Sequence, residues 1–229
     1  MYSEWRSTAV PGAVLWSQQR ERAATGPARV LPDGCMDLIW TGRELLVAGP
    51  DTTAHLVPGR AGDRYLGLRF APGTAPLVLG LPASELTDQR VPLEALWPGR
   101  AAELTERVWA APDPAAALER LAVAAGPLRP QAVPEAVLRA VRRGRPVAAI
   151  AAELALSERQ LRRHCLASFG YGAKTLERVL RLGRALDRAR AGRPFAEVAA
   201  GTGYADQAHL AREVRALTGV PLTRLLADG

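Results

Sequence analysis

Apolar and polar positions alternate along the first third of the chain, then recur at helical spacing to its end. Val14-Leu15-Trp16 is a short strand-like run. Cys35 to Trp40 leads into Thr41-Gly42-Arg43 and then Glu44 to Ala48, a pattern that predicts a hairpin with a short glycine-containing loop. Ala54 to Val57 ends at Pro58-Gly59. In Arg64 to Phe70, Leu66, Leu68 and Phe70 fall on one face, and Tyr65 and Arg69 on the other. Strands at this spacing predict a small antiparallel barrel or sandwich. After Gly73 the pattern turns helical, with segments at Pro82 to Leu86, Ala101 to Ala110 and Pro114 to Ala125.

Gly126 to Pro134 holds three prolines and suits an extended linker. Everything after it reads as helix, broken at Gly144, Gly170 to Gly172, Gly192 to Pro194, Gly201 to Gly203 and Gly219 to Pro221. The expectation is an α+β chain: a β-rich domain with helices over 1–126, a linker at 127–133, and an all-α domain over 134–229.

The helical half contains a repeat. Ser157 is followed by Leu161, Arg163 and Gly170, and Asp206 by Leu210, Arg212 and Gly219, at identical spacings. Ser157 and Asp206 are good helix N-caps, because a side-chain oxygen there accepts an orphan backbone N–H. Leu161 with Cys165, and Leu210 with Val214, make a buried stripe one turn apart. Gly170 and Gly219 suit the left-handed residue that ends a helix. Small residues lie upstream of each anchor. Ala151-Ala152 and Ala199-Ala200 let a preceding helix cross closely, through a first turn one residue shorter than the second. Each unit therefore predicts a helix-turn-helix whose second helix enters a DNA major groove.

The exposed face of the first such helix carries Arg159, Gln160, Arg162 and Arg163, and that of the second Gln207, His209 and Arg212. Arg pairs bidentately with guanine and Gln with adenine, so these are base-reading side chains. Between the units, Ala173 to Arg190 predicts a helix of about 27 Å. Its stripe is Leu176, Val179/Leu180, Gly183 and Leu186, with Arg178, Arg181, Arg184 and Arg188 largely elsewhere around it. Successive major grooves on one DNA face lie about 34 Å apart, a distance such a rod can span with one helix at each end.

Charge sharpens this picture. The net charge is +7, divided as −2 over residues 1–127 and +9 over 128–229, so a polyanion partner is expected for the second half. No apolar run reaches the roughly 18–20 residues of a membrane span, and the start of the chain lacks a secretory pattern. The two cysteines, Cys35 and Cys165, make neither a disulfide framework nor a zinc set, which suits a reducing cytoplasm.

Residues 134–227 resemble the DNA-binding domain of the AraC/XylS family of bacterial transcription regulators. The likeness runs through Ile150-Ala151, Ser157, Leu161, Arg163, Gly170, Arg181-Leu182, Ala185, Val198-Ala199, Gly203-Tyr204-Ala205-Asp206, Leu210, Arg212 and Thr218-Gly219-Val220-Pro221. It implies two helix-turn-helix subdomains on double-stranded promoter DNA. Carried over position by position, Arg159, Arg162 and Arg163 fall where the first helix contacts DNA, and Gln207, Ala208, His209 and Arg212 where the second does; Ser157 and Gln160 join them as DNA-binding candidates. The chain departs from the family at Cys165 and Val214, where an aromatic is usual, and at Ala173 and Leu176, often Pro and Tyr. The first half resembles the sensory domains attached to such regulators, through Leu31 to Trp40, Gly49-Pro50-Asp51 and Arg69 to Gly73. That likeness implies a cupin-like barrel that binds a small effector, and family members often dimerise through this half; RNA polymerase is a further candidate partner.

Candidate chemistry in the first half is sparse. Its one histidine, His55, cannot make the clustered set a cupin metal needs, so neither metal nor other cofactor is expected. Cys35 sits beside Asp33 and Asp37, carboxylates that disfavour a reactive thiolate, and reads as a structural thiol. Asp33 occupies a Pro-Asp-Gly turn, where its role is local. No phosphate-binding or dinucleotide fingerprint occurs. No catalytic residue is expected. Trp16, Trp40, His55, Tyr65 and Arg69 are the candidate effector-pocket residues, since aromatics with a few polar groups suit small ligands. The competing reading is a ligand-binding or enzymatic first half joined to a helical protein-docking module.

Overall fold

The computed structural model describes residues 1–20, 26–59, 61–126, 128 and 131–227. Eight strands precede most of the helices: β1 (Tyr2–Arg6), β2 (Val14–Gln19), β3 (Ala28–Val30), β4 (Met36–Trp40), β5 (Leu45–Ala48), β6 (His55–Val57), β7 (Arg64–Phe70) and β8 (Arg90–Pro92). Six of them form one antiparallel sheet in the order β1-β2-β7-β4-β5-β8, and β3 and β6 form a separate pair. Where the sequence predicts a small antiparallel barrel or sandwich, the structure has an antiparallel six-stranded sheet and a separate two-stranded ribbon. The predicted hairpin is β4–β5, closed by Thr41 N–H donating to the Glu44 carbonyl at 3.0 Å.

The strand period divides the large sheet into two unlike faces. Leu15, Leu38, Val47, Leu68 and Phe70 are fully buried on one of them. They form a core with α1 (Ala75–Leu79), α2 (Leu93–Leu96), α3 (Ala101–Ala110) and α4 (Pro114–Ala125). The other face carries Trp16, Asp37, Ile39, Tyr65 and Arg69, and lines a cavity that the β3–β6 ribbon also borders. Leu66 departs from strict alternation only in being half-buried against the core.

The second half comprises α5 (Ala132–Arg142), α6 (Val147–Glu153), α7 (Glu158–Phe169), α8 (Ala173–Arg190), α9 (Phe195–Thr202), α10 (Gln207–Thr218) and α11 (Leu222–Ala227). Val133 and Pro134, read as linker and boundary, lie in the first turn of α5, where proline's missing N–H costs nothing. Residues 127, 129 and 130 of the expected linker lie outside the described residues.

Two cores share α8. Ala173, Leu176 and Val179 pack with Val137, Ile150, Leu161 and Cys165 in the first. Leu182, Ala185, Leu186 and Ala189 pack with Val198, Leu210 and Val214 in the second. The apolar stripe of α8 therefore includes Leu182, Ala185 and Ala189, and Gly183 is only half-buried. The tilt of the stripe past Gly183 reflects two cores placed at different angles around one rod.

Candidate nucleic-acid interface and effector cavity

Each repeat unit folds as its caps dictate. The Ser157 side chain accepts from Gln160 N–H at 3.2 Å, and Gln160 Oε1 accepts from Ser157 N–H at 2.8 Å, completing a capping box. Asp206 accepts from His209 N–H at 2.6 Å. Gly170 and Gly219 end α7 and α10 in the left-handed conformation, with φ of +82° and +77°. The helices before each turn, α6 and α9, present Ala151 and Ala199 to their partners, whereas Ala152 and Ala200 point to solvent. The small pair reduces to one small residue per crossing, because neighbours in a helix are about 100° apart.

The two turns are equivalent up to a point. Leu156 N–H donates to the Ala151 carbonyl, and Tyr204 N–H to the Ala199 carbonyl, at 2.9 and 3.0 Å. The second turn then has one more residue, Ala205, before its N-cap. The left-handed position of these turns is Gly203 (φ +82°) in the second unit but Ala155 (φ +52°) in the first.

Arg159, Arg162 and Arg163 are exposed on α7, and Gln207, Ala208 and Arg212 on α10. Gln160 is exposed too, but its Oε1 is engaged by the capping box, which leaves only the amide N–H groups for another partner. His209 is half-buried. Its Nδ1 accepts from Ala205 N–H at 3.2 Å, so Nε2 carries the proton and is the outward donor. Its ring stands edge-on to Tyr204, with centroids 5.3 Å apart.

Arginines of α8 that the sequence places off the apolar stripe fix the second unit. Arg178 forms a two-point pair with Glu213 of α10, Nε–Oε2 at 2.9 Å and Nη2–Oε1 at 3.2 Å. Arg181 stacks over Tyr204, its Cζ 4.4 Å from the ring centroid, and donates to the Gly203 carbonyl at 3.2 Å. Both partners are far away in sequence, so helical spacing alone gives no sign of them.

The cavity measures about 970 Å³, and all five sequence candidates line it: Trp16, Trp40, His55, Tyr65 and Arg69. Strand register explains the arrangement. Asp37 faces Arg69 across β4–β7, and Trp16 faces Gly67 across β2–β7. A Cβ on Gly67 would lie 2.2 Å from the Trp16 ring, so only glycine lets the indole lie across the strand. Trp16 Nε1 donates to Asp37 at 2.5 Å. Arg69 Nε lies 3.4 Å from a carboxylate oxygen of Asp33 and from one of Asp37. Burial, only partly offset by Arg69, raises the Asp37 pKa. Burial and then the two aspartates push the Cys35 thiol well up, which disfavours its thiolate. Asp33 also accepts from Cys35 N–H at 2.8 Å, the local turn role expected of it.

Three residues missed in the sequence attach this half to the two units. Thr87 Oγ1 donates to the Gly170 carbonyl at 3.0 Å, Ala54 N–H to the Leu217 carbonyl at 2.7 Å, and Arg29 Nη1 to the Thr218 carbonyl. These carbonyls all lie at the C-terminal ends of α7 and α10. The segment Pro50 to Ala54 is fastened from behind. Asp51 and Arg90 form a two-point pair at 2.7 and 2.6 Å, and Asp88 accepts from Thr52 N–H and Oγ1, both at 2.7 Å. Among the described residues no group of three or more His, Cys, Asp or Glu is arranged to hold a metal ion. Among the described residues no helix is long and apolar enough to cross a membrane.

Two capped helix-turn-helix units on a shared helix, each offering an arginine-bearing face, define a DNA-binding domain. That domain is of the AraC type: residues 150–228 match the family described as "Helix-turn-helix domain", and residues 13–92 match a "Domain of unknown function (DUF6597)". Among solved structures the chain is similar to ToxT from Vibrio cholerae, an AraC-family regulator. An apo lysine-to-alanine variant of ToxT aligns at 11% identity with a TM-score of 0.51, over 96% of this chain and 98% of that one. A second ToxT structure gives 10% and 0.51 over 99% and 98%. ToxT bound to (E)-4-(8-methylnaphthalen-1-yl)but-3-enoic acid gives 9% and 0.50 over 99% and 98%. At such identities the likeness is one of fold. No curated protein matches the sequence.

Proposed function

We propose that this protein is a sequence-specific, cytoplasmic transcription regulator, controlled by a small molecule held in the cavity of its first half. The observation that carries the DNA-binding part is the pair of capped units joined by α8, with Arg159, Arg162, Arg163 and Arg212 exposed on helices of recognition type. Phosphate contacts from the basic half supply affinity that falls steeply with salt, and base contacts from α7 and α10 supply sequence choice. The effector part is supported by the cavity and by the small-molecule complex of ToxT, a protein of similar fold. Segment 49–55 borders the cavity at Gly49, Asp51 and His55, and reaches the recognition-helix ends at Pro50 and Ala54. A ligand that shifts this segment reaches both DNA-reading helices through it.

The test is selection of genomic fragments by the purified protein, with and without extracted metabolites. Arg163→Ala and Arg212→Ala are then compared on selected and scrambled sites. Each is expected to lose discrimination at particular bases, about 1–3 kcal/mol per lost bidentate contact. Equal retention of selected and scrambled DNA by the wild-type chain refutes the regulator reading and favours a protein-docking module.

A further inference from the structure

The carboxylates beside Trp16 are not evenly matched by the arginines next to them. Arg90 is committed to Asp51 by two short bonds. Asp33 and Asp37 share a single guanidinium, that of Arg69, and neither approaches it closer than 3.4 Å. Asp37 uses Oδ1 for both Trp16 and Arg69, its Oδ2 has no hydrogen-bond partner among the described residues, and its side chain keeps 14% exposure on the cavity side. One negative charge is thus in excess where Asp33 and Asp37 meet Arg69, beside the Trp16 indole and Tyr65; Arg43, Glu44, Asp63 and Arg64 line the cavity elsewhere. Aromatic faces carry negative quadrupole density, so they attract a cation and offer an anion nothing comparable.

Resting on the effector reading above, we infer that the cavity selects a monocationic ligand, a protonated amine on an aromatic or bulky apolar frame. Its ammonium sits at the open oxygen of Asp37 beside Asp33, and its frame lies beside the Trp16 indole. The raised pKa of Asp37 agrees with this, since an under-compensated carboxylate is what a bound cation relieves. A carboxylic acid such as the one named for ToxT has the opposite sign, and would be repelled at Asp33 and Asp37.

The experiment uses three probes on one frame, 4-phenylbutylamine, 4-phenylbutan-1-ol and 4-phenylbutanoate, titrated into the full chain at neutral pH by calorimetry. The amine is expected to bind at least tenfold tighter than the alcohol, and the acid to bind weakest. Asp37→Asn and Asp33→Asn should each erode that order. Asp33 has a side chain 45% exposed, so it reports even if loss of Asp37 unfolds the sheet. The inference is overturned if the acid equals or exceeds the amine, if Asp33→Asn and a folded Asp37→Asn both keep the order, or if no probe binds at millimolar concentration. Amine binding that leaves DNA retention unchanged refutes control by effector and supports the cation preference. A DNA response to the acid alone refutes the preference and supports control by effector.

Discussion

Thr87 reaches across to the carbonyl of Gly170, the residue that ends the first recognition helix, at 3.0 Å. Gly170 meets that approach because it has no side chain: a Cβ there would lie 2.7 Å from Thr87 Oγ1 and 2.5 Å from Pro50 Cγ. The glycine that stops α7 is thus also the seat on which the first half rests.

Thr87→Val removes the donor at Gly170, and Arg29→Ala removes the donor at Thr218. A neutral hydrogen bond contributes about 0.5–1.5 kcal/mol, and one from a charged group about 1.5–3. Because the two bonds hold different units, their losses should add within about 0.5 kcal/mol. Denaturant unfolding of both single variants and the double variant measures this. A double variant no worse than the weaker single one would show that the two attachments are not independent.

Gly67→Ala should disturb the cavity without touching its chemistry. Its Cβ would enter the Trp16 ring, and the indole cannot yield without leaving Asp37. Overpacking of this kind costs about 1–3 kcal/mol. The expected readout is a lower melting temperature with a shifted tryptophan emission; an unchanged spectrum would mean that Trp16 does not lie across the strand.

Glu213 links pH to the placement of the second unit. Its hydrogen bond with Arg178 is the chief cause holding its carboxyl below the ordinary value of 4.5. A carboxylate held below its unfolded value adds stability above that value and loses it as pH falls through the lower, folded one. The wild-type melting temperature should therefore fall more steeply below about pH 4.5 than that of Glu213→Gln. Parallel curves from pH 6 to pH 3 would contradict the pairing.

Ala155 stands where its counterpart in the second turn is Gly203, with φ of +52°. A left-handed non-glycine residue costs about 1–2 kcal/mol, and glycine returns about 0.4–1 of that as entropy of the unfolded chain. Ala155→Gly should therefore stabilise the fold by up to about 1 kcal/mol, as read from thermal unfolding. A loss of stability would mean that the Ala155 methyl packs more than its conformation costs.

The parts of the fold written in local chemistry were legible in the sequence. N-caps at Ser157 and Asp206, glycine ends at Gly170 and Gly219, and the period-two pattern of β7 need only residues a few positions apart, and their readings match the structure. Alternation also told which side chains leave the core face of the sheet, and so brought Trp16, Tyr65 and Arg69 together. It could not tell that β3 pairs with β6 and borders the same space through Val30, because that strand pair is short and its partners are distant; His55 of β6 was placed there by residue type alone. Thr87, Ala54 and Arg29 were invisible for the same reason, since each meets a backbone carbonyl that any residue could supply. Gln160 suits two roles. It has the side chain a base reader needs, and also the spacing from Ser157 that a capping box needs, and the structure uses the second.

Neither unit owns α8. Ala173, Leu176 and Val179 belong to one core, and Leu182, Ala185 and Leu186 to the other, along a single uninterrupted helix. Damage at Leu161, deep in the first core, would leave the front half of that helix without cover, and fraying there would propagate toward Leu182. The pair should therefore melt as one cooperative block, so a lesion beneath α7 would weaken the grip of α10 on its own half of an operator.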